Sequence, residues 1–359
     1  LENLTKHYVG KRMKICILSS FEDSLSKDTG YSVRIYNLAR GLAKLGNEVY
    51  VILPGYKAFQ KKIDGLNVYS IKGVLPKSFL EILSKIIGVV KYTSLYFFDL
   101  VFVFKAYRII RQVDVVQIEQ QMTGSLFAPI ITRIWKKRLI VDCHDVFQAL
   151  RVKHTSSMRK ILETFFEIIT YRFADLILAV SEDEKRLLIN YGIKEKKIEI
   201  VPNGVDTESF NVGTNVSHVK RRYNLENSHV IVFVGNMEYA PNKEAAQLIV
   251  SKIAPLVQEK IRNAKFLIVG RTRTIFNSPN VIFTGIVDTV AEVLNASEVA
   301  IAPLMSGSGT RLKILEYFSC GLPVVSTTVG IEGLCVKNGV HAFIEDDLSK
   351  FASKIVCLL

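Results

Sequence analysis

The chain has 359 residues, 49% of them hydrophobic, and a net charge of +13; it is long enough for two domains and too apolar to be a disordered, highly charged chain. Residues 1–204 carry 32 Lys and Arg against 20 Asp and Glu, while residues 205–359 carry 15 against 14, so the basic half is the one suited to anionic lipid or a phosphorylated acceptor, with solubility as the plain alternative. No recognised nucleic-acid motif accompanies the charge, and five scattered cysteines (Cys16, Cys143, Cys320, Cys335, Cys357) without a CxxC argue for free thiols in a reducing compartment, against a disulfide framework or structural zinc.

Residues 1–12 are polar and basic, read as an N-terminal extension, and are followed by no run long enough for a signal peptide. From Met13 a strand–loop–helix–strand pattern begins: KICILS at 14–19, a helical period at 31–45 through Val33, Leu38, Leu42 and Leu45 that stops at Gly46, then EVYVIL at 48–53. That is the opening of a doubly wound α/β domain. Gly30, at the junction of loop and helix, is a turn residue or a substrate contact; the absence of GxGxxG leaves a dinucleotide site poorly supported.

The stretch 86–104 is apolar and aromatic and nearly long enough to span a bilayer, but Lys91 and Asp99 lie inside it. Residues 79–112 are therefore expected as one or two amphipathic helices, packed in the core or laid on a membrane surface. Strands follow at 114–118 and 138–143, with a helix between them at 124–135. The second strand ends at His144-Asp145, and strand carboxyl ends line the crevice of a parallel sheet. A histidine there is a proton carrier or hydrogen-bond donor, or a ring satisfied by its own loop. A helix at 159–173, a strand at 174–180 and a Ser181/Glu184 capping box opening the next helix complete this half. The turn-dense Pro202-Asn-Gly-Val-Asp206 places the domain boundary at 206, so the first domain is 13–206 and the second 207–359, entered through a polar linker.

In the second domain, strands at 230–234, 265–269, 281–284 and 299–302 end at Gly235-Asn236, Gly270-Arg271, Gly285 and the Ser306-Gly307-Ser308-Gly309 loop. Parallel topology collects these glycine loops on one sheet edge. Further strands are expected at 323–326 and 342–344, and a last helix from 348. The segment Ala302–Gly333 carries most of the chemistry. Glycines free backbone N–H groups to meet an anion at a helix N-terminus expected at Thr310. Arg311 and Lys313 add cations, and Glu316 sits one turn deeper. A diphosphate on the amides and cations, with a ribose on the carboxylate, fits this spacing. A capped turn with an exposed Lys313–Glu316 pair is the alternative.

The motifs VPNGVD at 201–206, FVGNM at 233–237 with Pro241-Asn242, VGR at 269–271, GTRLKILE at 309–316 and GLPVVS at 321–326 together resemble GT-B glycosyltransferases, and more narrowly the retaining glycosyltransferase family 4. The resemblance runs from about Lys14 to Asp347. It implies two Rossmann-like domains facing across a cleft, with a nucleotide-sugar donor on the second and a cell-envelope, glycolipid or lipid-linked oligosaccharide acceptor on the first. By position it implies His144 beside the transferred sugar and Glu316 on the donor ribose, with Lys313 completing the catalytic set. Gly235, Asn236, Arg271, Gly307, Ser308, Gly309, Thr310 and Arg311 join Lys313 and Glu316 in donor binding, and Gly30, Tyr31 and Asp145 lie on the acceptor side. The first glutamate of the family's Glu-x7-Glu motif falls at position 308, which is Ser308 here. An Arg/Lys pair expected after the first strand of the second domain is replaced by Asn236 and Glu238. With no Asp-x-Asp on a suitable loop, no metal and no cofactor beyond the nucleotide sugar are expected. A degenerate partner subunit of a membrane-bound transferase and an NDP-sugar 2-epimerase are the rival functions. The expected location is cytoplasmic and peripheral on the membrane, through 79–112 and the basic first domain. Relatives continue past the last helix, so the second domain is read as truncated there.

Overall fold

The computed structural model describes residues 12–19, 25, 30–55, 57–72, 106–119, 127–144, 157–213, 216–273, 278–307 and 309–359. They divide into two compact units, Leu1–Pro202 and Asn203–Leu359. Most of the apolar region at 79–112 lies outside the described residues; within it, 106–110 is helical, with Ala106 and Ile110 buried. Among the described residues no helix is long and apolar enough to cross a membrane.

Among the described residues the first unit is built on eight strands: β1 Lys14–Leu18, β2 Glu48–Gly55, β3 Phe59–Ile63, β4 Leu66–Lys72, β5 Val115–Glu119, β6 Arg138–Cys143, β7 Leu176–Ala179 and β8 Ile198–Ile200. They lie in the order β3-β4-β2-β1-β5-β6-β7-β8, and only the β3–β4 pair is antiparallel. Alternate residues of each central strand feed opposite cores. Ile15 and Ile17 join Ile35 and Ala39 of the helix Gly30–Lys44, with Val49, Val51 and Val115. Cys16 and Leu18 turn the other way, to Ile52, Val116, Ile118, Val141 and Tyr171. Burial on both faces makes these strands continuous apolar runs.

The β3–β4 hairpin is an element the sequence pattern does not announce. Its outer strand FQKKI is exposed apart from a partly covered Ile63, so no alternation marks it. Its signal is the turn Asp64-Gly65, both left-handed at φ 49° and 83°, the geometry of a two-residue hairpin turn.

The second unit carries β9 His229–Val234, β10 Ala264–Val269, β11 Val281–Gly285, β12 Val299–Ala302, β13 Val324–Ser326 and β14 Phe343–Ile344. The order is β11-β10-β9-β12-β13-β14, parallel throughout. The expected polar linker instead contains a helix, Ser217–Arg222. Val219 and Leu225 are buried in the same core as Val230, Val232 and Ala300, which draws this segment into the domain. One π turn, Ile249–Ile253, interrupts the long helix after β9. Pro255 follows it, has no N–H to continue the ladder, and crowds the turn before it. The final helix Leu348–Leu358 is capped by Asp347, whose side chain accepts from the Ser349 and Lys350 amides, and buries Phe351 and Ile355.

Candidate functional site

Strand order reverses between β1 and β5 in the first sheet and between β9 and β12 in the second. The carboxyl edges at such points are the binding edges of open α/β sheets. Among the described residues, the expected site residues lie along these two edges.

On the second sheet the glycine loops close on one another. The Gly235 amide donates to Val269 O at 2.9 Å, the Gly270 amide to Gly285 O at 2.9 Å, and the Met237 amide to Arg271 O at 2.9 Å. Gly270 is left-handed at φ 128°, and a Cβ there would lie 2.1 Å from Gly235 O, so only glycine lets the loops approach this closely. The loop after β12 turns through Gly307 (φ 120°) and Gly309 (φ 73°). Arg311 is extended, and the helix starts at Leu312, two residues later than the expected Thr310. The second glycine turn backs this loop: a Cβ on Gly333 would meet Thr310 Oγ1 at 2.9 Å. Thr310 Oγ1 is buried and has no hydrogen-bond partner among the described residues.

The helix Leu312–Ser319 buries Ile314 and Tyr317. Tyr317 is locked by accepting the Val234 amide at 2.8 Å, which fixes the helix against the end of β9. Lys313 and Glu316 then lie on its partly exposed side. Lys313 Nζ donates to Asn242 Oδ1 at 2.8 Å and stands 4.4 Å from the centre of the Phe233 ring. Asn242 in turn donates to Asn236 O at 3.0 Å, so Lys313 is held to the loop after β9. Burial, then the nearby Arg311, push the Lys313 ammonium down to about 7. Burial pushes the Glu316 carboxyl up to about 7, with Lys313 pulling the other way. Arg311 folds back to donate to Gly309 O at 2.6 Å, with a side chain only 10% exposed and 3.9 Å from Glu332. It places positive charge beneath the glycine loop. Arg271 lies 3.9 Å from Glu238, which also holds Arg273 at 2.7 Å. The Asn236 side chain accepts the Glu238 amide at 2.9 Å and shapes the turn there.

On the first sheet, β5 and β6 deliver Glu119, Asp142 and His144 to one edge. Glu119 pairs with Asp142 across the strands, and the period-two alternation turns both toward the helix Gly30–Lys44. Arg34 of that helix grips Asp142 with Nε at 2.9 Å to Oδ2 and Nη2 at 2.6 Å to Oδ1. Its Nη1 donates to Val201 O at 2.9 Å. The two side chains are 2% and 0% exposed. His144, about a fifth exposed, bonds Glu119 Oε2 through Nε2 and lies 3.8 Å from Asp142. Burial lowers the imidazole pKa, but Glu119 and Asp142 overcome it and the net direction is upward. Burial raises the Glu119 carboxyl, against His144.

Glu119, Asp142 and His144 bring ligand atoms within 4.8 Å of one another, a grouping that recurs nowhere else among the described residues. A divalent ion fits it poorly, because the Arg34 guanidinium already supplies the positive charge against Asp142. Gly30 opens its helix on this edge and Tyr31 packs on the core beside it. Asp145 and Ser308 lie outside the described residues. Sequence reasoning did not single out Arg34, Glu119 or Asn242 as site residues. For Glu119 a signal was present, since a carboxylate ends a strand that is apolar apart from Gln117 and whose end faces the crevice.

Residues 29–209 match the profile described as Glycosyltransferase Family 4, and residues 228–359 that of Glycosyl transferases group 1. An Escherichia coli protein named UDP-Gal:alpha-D-GlcNAc-diphosphoundecaprenol alpha-1,3-galactosyltransferase is 27% identical over 268 residues, 68% of this chain and 65% of its own length. The match thus spans just under two thirds of that relative. An uncharacterized glycosyltransferase of Methanocaldococcus jannaschii is 23% identical over 84% of this chain and 77% of its own. The crystal structure of Anabaena HepE with UDP and glucose superimposes with a TM-score of 0.70 at 17% identity, covering 96% of this chain and 89% of that one.

Proposed function

The chain belongs to the family 4 glycosyltransferases, with the GT-B pair of α/β domains, and from that premise we propose that it moves a sugar, with retention of configuration, from a nucleotide-sugar donor to a lipid-linked glycan acceptor. The observation that carries this reading is the closing of the glycine loops on one another at the edge of the second sheet, with Lys313 tied through Asn242 to the loop after β9. The loop amides, Lys313 and the charge of Arg311 receive the donor diphosphate. Glu316 accepts from the ribose hydroxyls. Charge builds on the leaving diphosphate as the glycosidic bond breaks, so donors and cations fixed in advance are the main catalytic resource. His144 serves the transferred sugar from the first domain. The reading needs no metal, since Lys313 and Arg311 occupy the role of a cation.

The lipid-linked acceptor is supported by the diphosphoundecaprenol in the name of the E. coli relative and by a surface of the first domain. Ile130 and Ile134, 54% and 64% exposed, lie one turn apart on the helix Phe127–Ile134. The Arg133 guanidinium there covers the exposed Phe173 ring at 5.3 Å. Arg133, Lys194 and Lys196 stand close enough to help depress the Lys197 pKa, behind burial as the larger cause. Apolar and cationic side chains interleaved this way suit the headgroup layer of an anionic bilayer.

The test is a thermal-shift panel of nucleotide sugars, followed by transfer from the stabilising donor to a polyprenyl-diphosphate-linked sugar and NMR of the new anomeric linkage. A donor-dependent product with the donor's anomeric configuration is expected. No stabilisation by any nucleotide sugar overturns the reading, and an inverted linkage overturns retention.

A further inference from the structure

Glu119 has no part in the chemistry so far, yet its setting is unusual for a carboxylate. It is 3% exposed, bonds His144 through Oε2, and has a buried Oε1 with no hydrogen-bond partner among the described residues. A buried carboxylate with one oxygen unanswered is costly, and an amide or apolar side chain would fill the strand end at lower cost. Its neighbour Asp142 is different: Arg34 engages both of its oxygens. Two carboxylates thus lie within reach of the imidazole, one neutralised by a guanidinium and the other left to the ring.

We propose that Glu119 is a positioning residue for His144, holding the ring by its Nε2–H so that Nδ1 is the nitrogen left to meet a bound sugar. The proposal rests on the transferase reading for what Nδ1 meets, and on geometry alone for the hold. Carboxylate–imidazole pairs fix both the tautomer and the orientation of the ring. The charged groups facing the ring among the described residues are Glu119 from β5, Asp142 from β6 and Arg34 from the helix Gly30–Lys44. The carboxylates outweigh burial and the guanidinium, and the imidazole pKa is raised from its ordinary value. An imidazolium that donates Nε2–H to Glu119 retains Nδ1–H for a ligand oxygen.

The test uses histidine ring NMR on the full chain, with His144 assigned by the signal lost in His144→Asn. In the wild type, the neutral ring is expected as the Nε2–H tautomer and to titrate above an ordinary imidazole. Glu119→Gln should move that midpoint to lower pH. It should also cut kcat roughly tenfold or more while leaving KM for the nucleotide sugar unchanged, with Glu119→Asp recovering part of the loss. A wild-type Nδ1–H tautomer, or a His144 midpoint unmoved in folded Glu119→Gln, overturns the proposal. The tautomer needs no variant to fold. If His144→Asn transfers sugar at the wild-type rate, the role of His144 in transfer fails while the NMR result still decides whether Glu119 holds the ring.

Discussion

Donor binding should exchange protons with solvent, and the direction should reverse near neutral pH. The proposed donor contacts need Lys313 charged against the diphosphate and Glu316 ionised to accept the ribose hydroxyls. In the free protein both titrate at about 7. Treated as independent, they put about a quarter of molecules in the competent form at pH 7 and about a twelfth at pH 6 or 8. Affinity for a nucleotide sugar is then expected to peak near pH 7 and fall about threefold one unit to either side. At pH 8 Glu316 is already ionised and Lys313 must gain its proton, so binding takes up about 0.8 proton; at pH 6 Lys313 is already charged and Glu316 must lose its own, so binding releases about 0.8. The assay is titration calorimetry with UDP-glucose, or the donor selected by thermal shift, in pairs of buffers with different ionisation enthalpies. The pyrophosphate of a nucleotide sugar is a diester without a proton to exchange in this range, so the sign reports on the protein. Lys313→Met should remove the uptake at pH 8 and leave the release at pH 6. Affinity independent of pH, with no proton exchanged at pH 8, would refute the assignment of these two side chains to the donor.

Arg34→Met leaves Asp142 buried without its counter-charge and should cost about 3–5 kcal/mol in urea unfolding; Arg34→Met/Asp142→Leu should recover much of that loss, and equal stability of single and double variants would contradict the pairing. Gly270→Ala drives a methyl into Gly235 O and should cost about 3 kcal/mol or more. Gly285→Ala, with φ 70° and open space around it, should cost only about 1–2 kcal/mol, and similar melting temperatures for the two would show that loop contact is not the constraint. Transfer activity should persist in EDTA, and its loss with recovery on adding Mg²⁺ would restore a metal to the mechanism. Ile130→Ser/Ile134→Ser should weaken co-sedimentation with phosphatidylglycerol vesicles without changing donor affinity, and unchanged sedimentation would detach this face from the membrane.

The sequence reveals what is local or periodic. Strands buried on both faces read as apolar runs, and once they alternate with helices, parallel topology forces their glycine ends onto one edge. That is why the four loops of the second domain and the Lys313–Glu316 spacing were legible, as was the Ser181 cap, whose side chain accepts the Glu184 amide. Arg34 was not, because its partner Asp142 lies 108 residues away and nothing within the helix distinguishes it from a solvated arginine. Asn242 escaped for a similar reason, since its importance comes from Lys313, 71 residues further on. The helix start moved from Thr310 to Leu312 because two left-handed glycines extend the turn, a conformation composition permits but does not require. The helix Ser217–Arg222 was hidden by a polar sequence in which few side chains, Val219 among them, reach the core.

The grip of Arg34 on Asp142 and Val201 also constrains how this chain can drift. A guanidinium and a carboxylate sealed together tolerate neither partner's loss alone, yet an apolar pair of similar volume is often as stable. Positions 34 and 142 should therefore be inherited as a unit among descendants of this fold, changing together or not at all. Position 201 stays outside that unit, because Arg34 takes only its backbone carbonyl and that contact places no demand on the side chain.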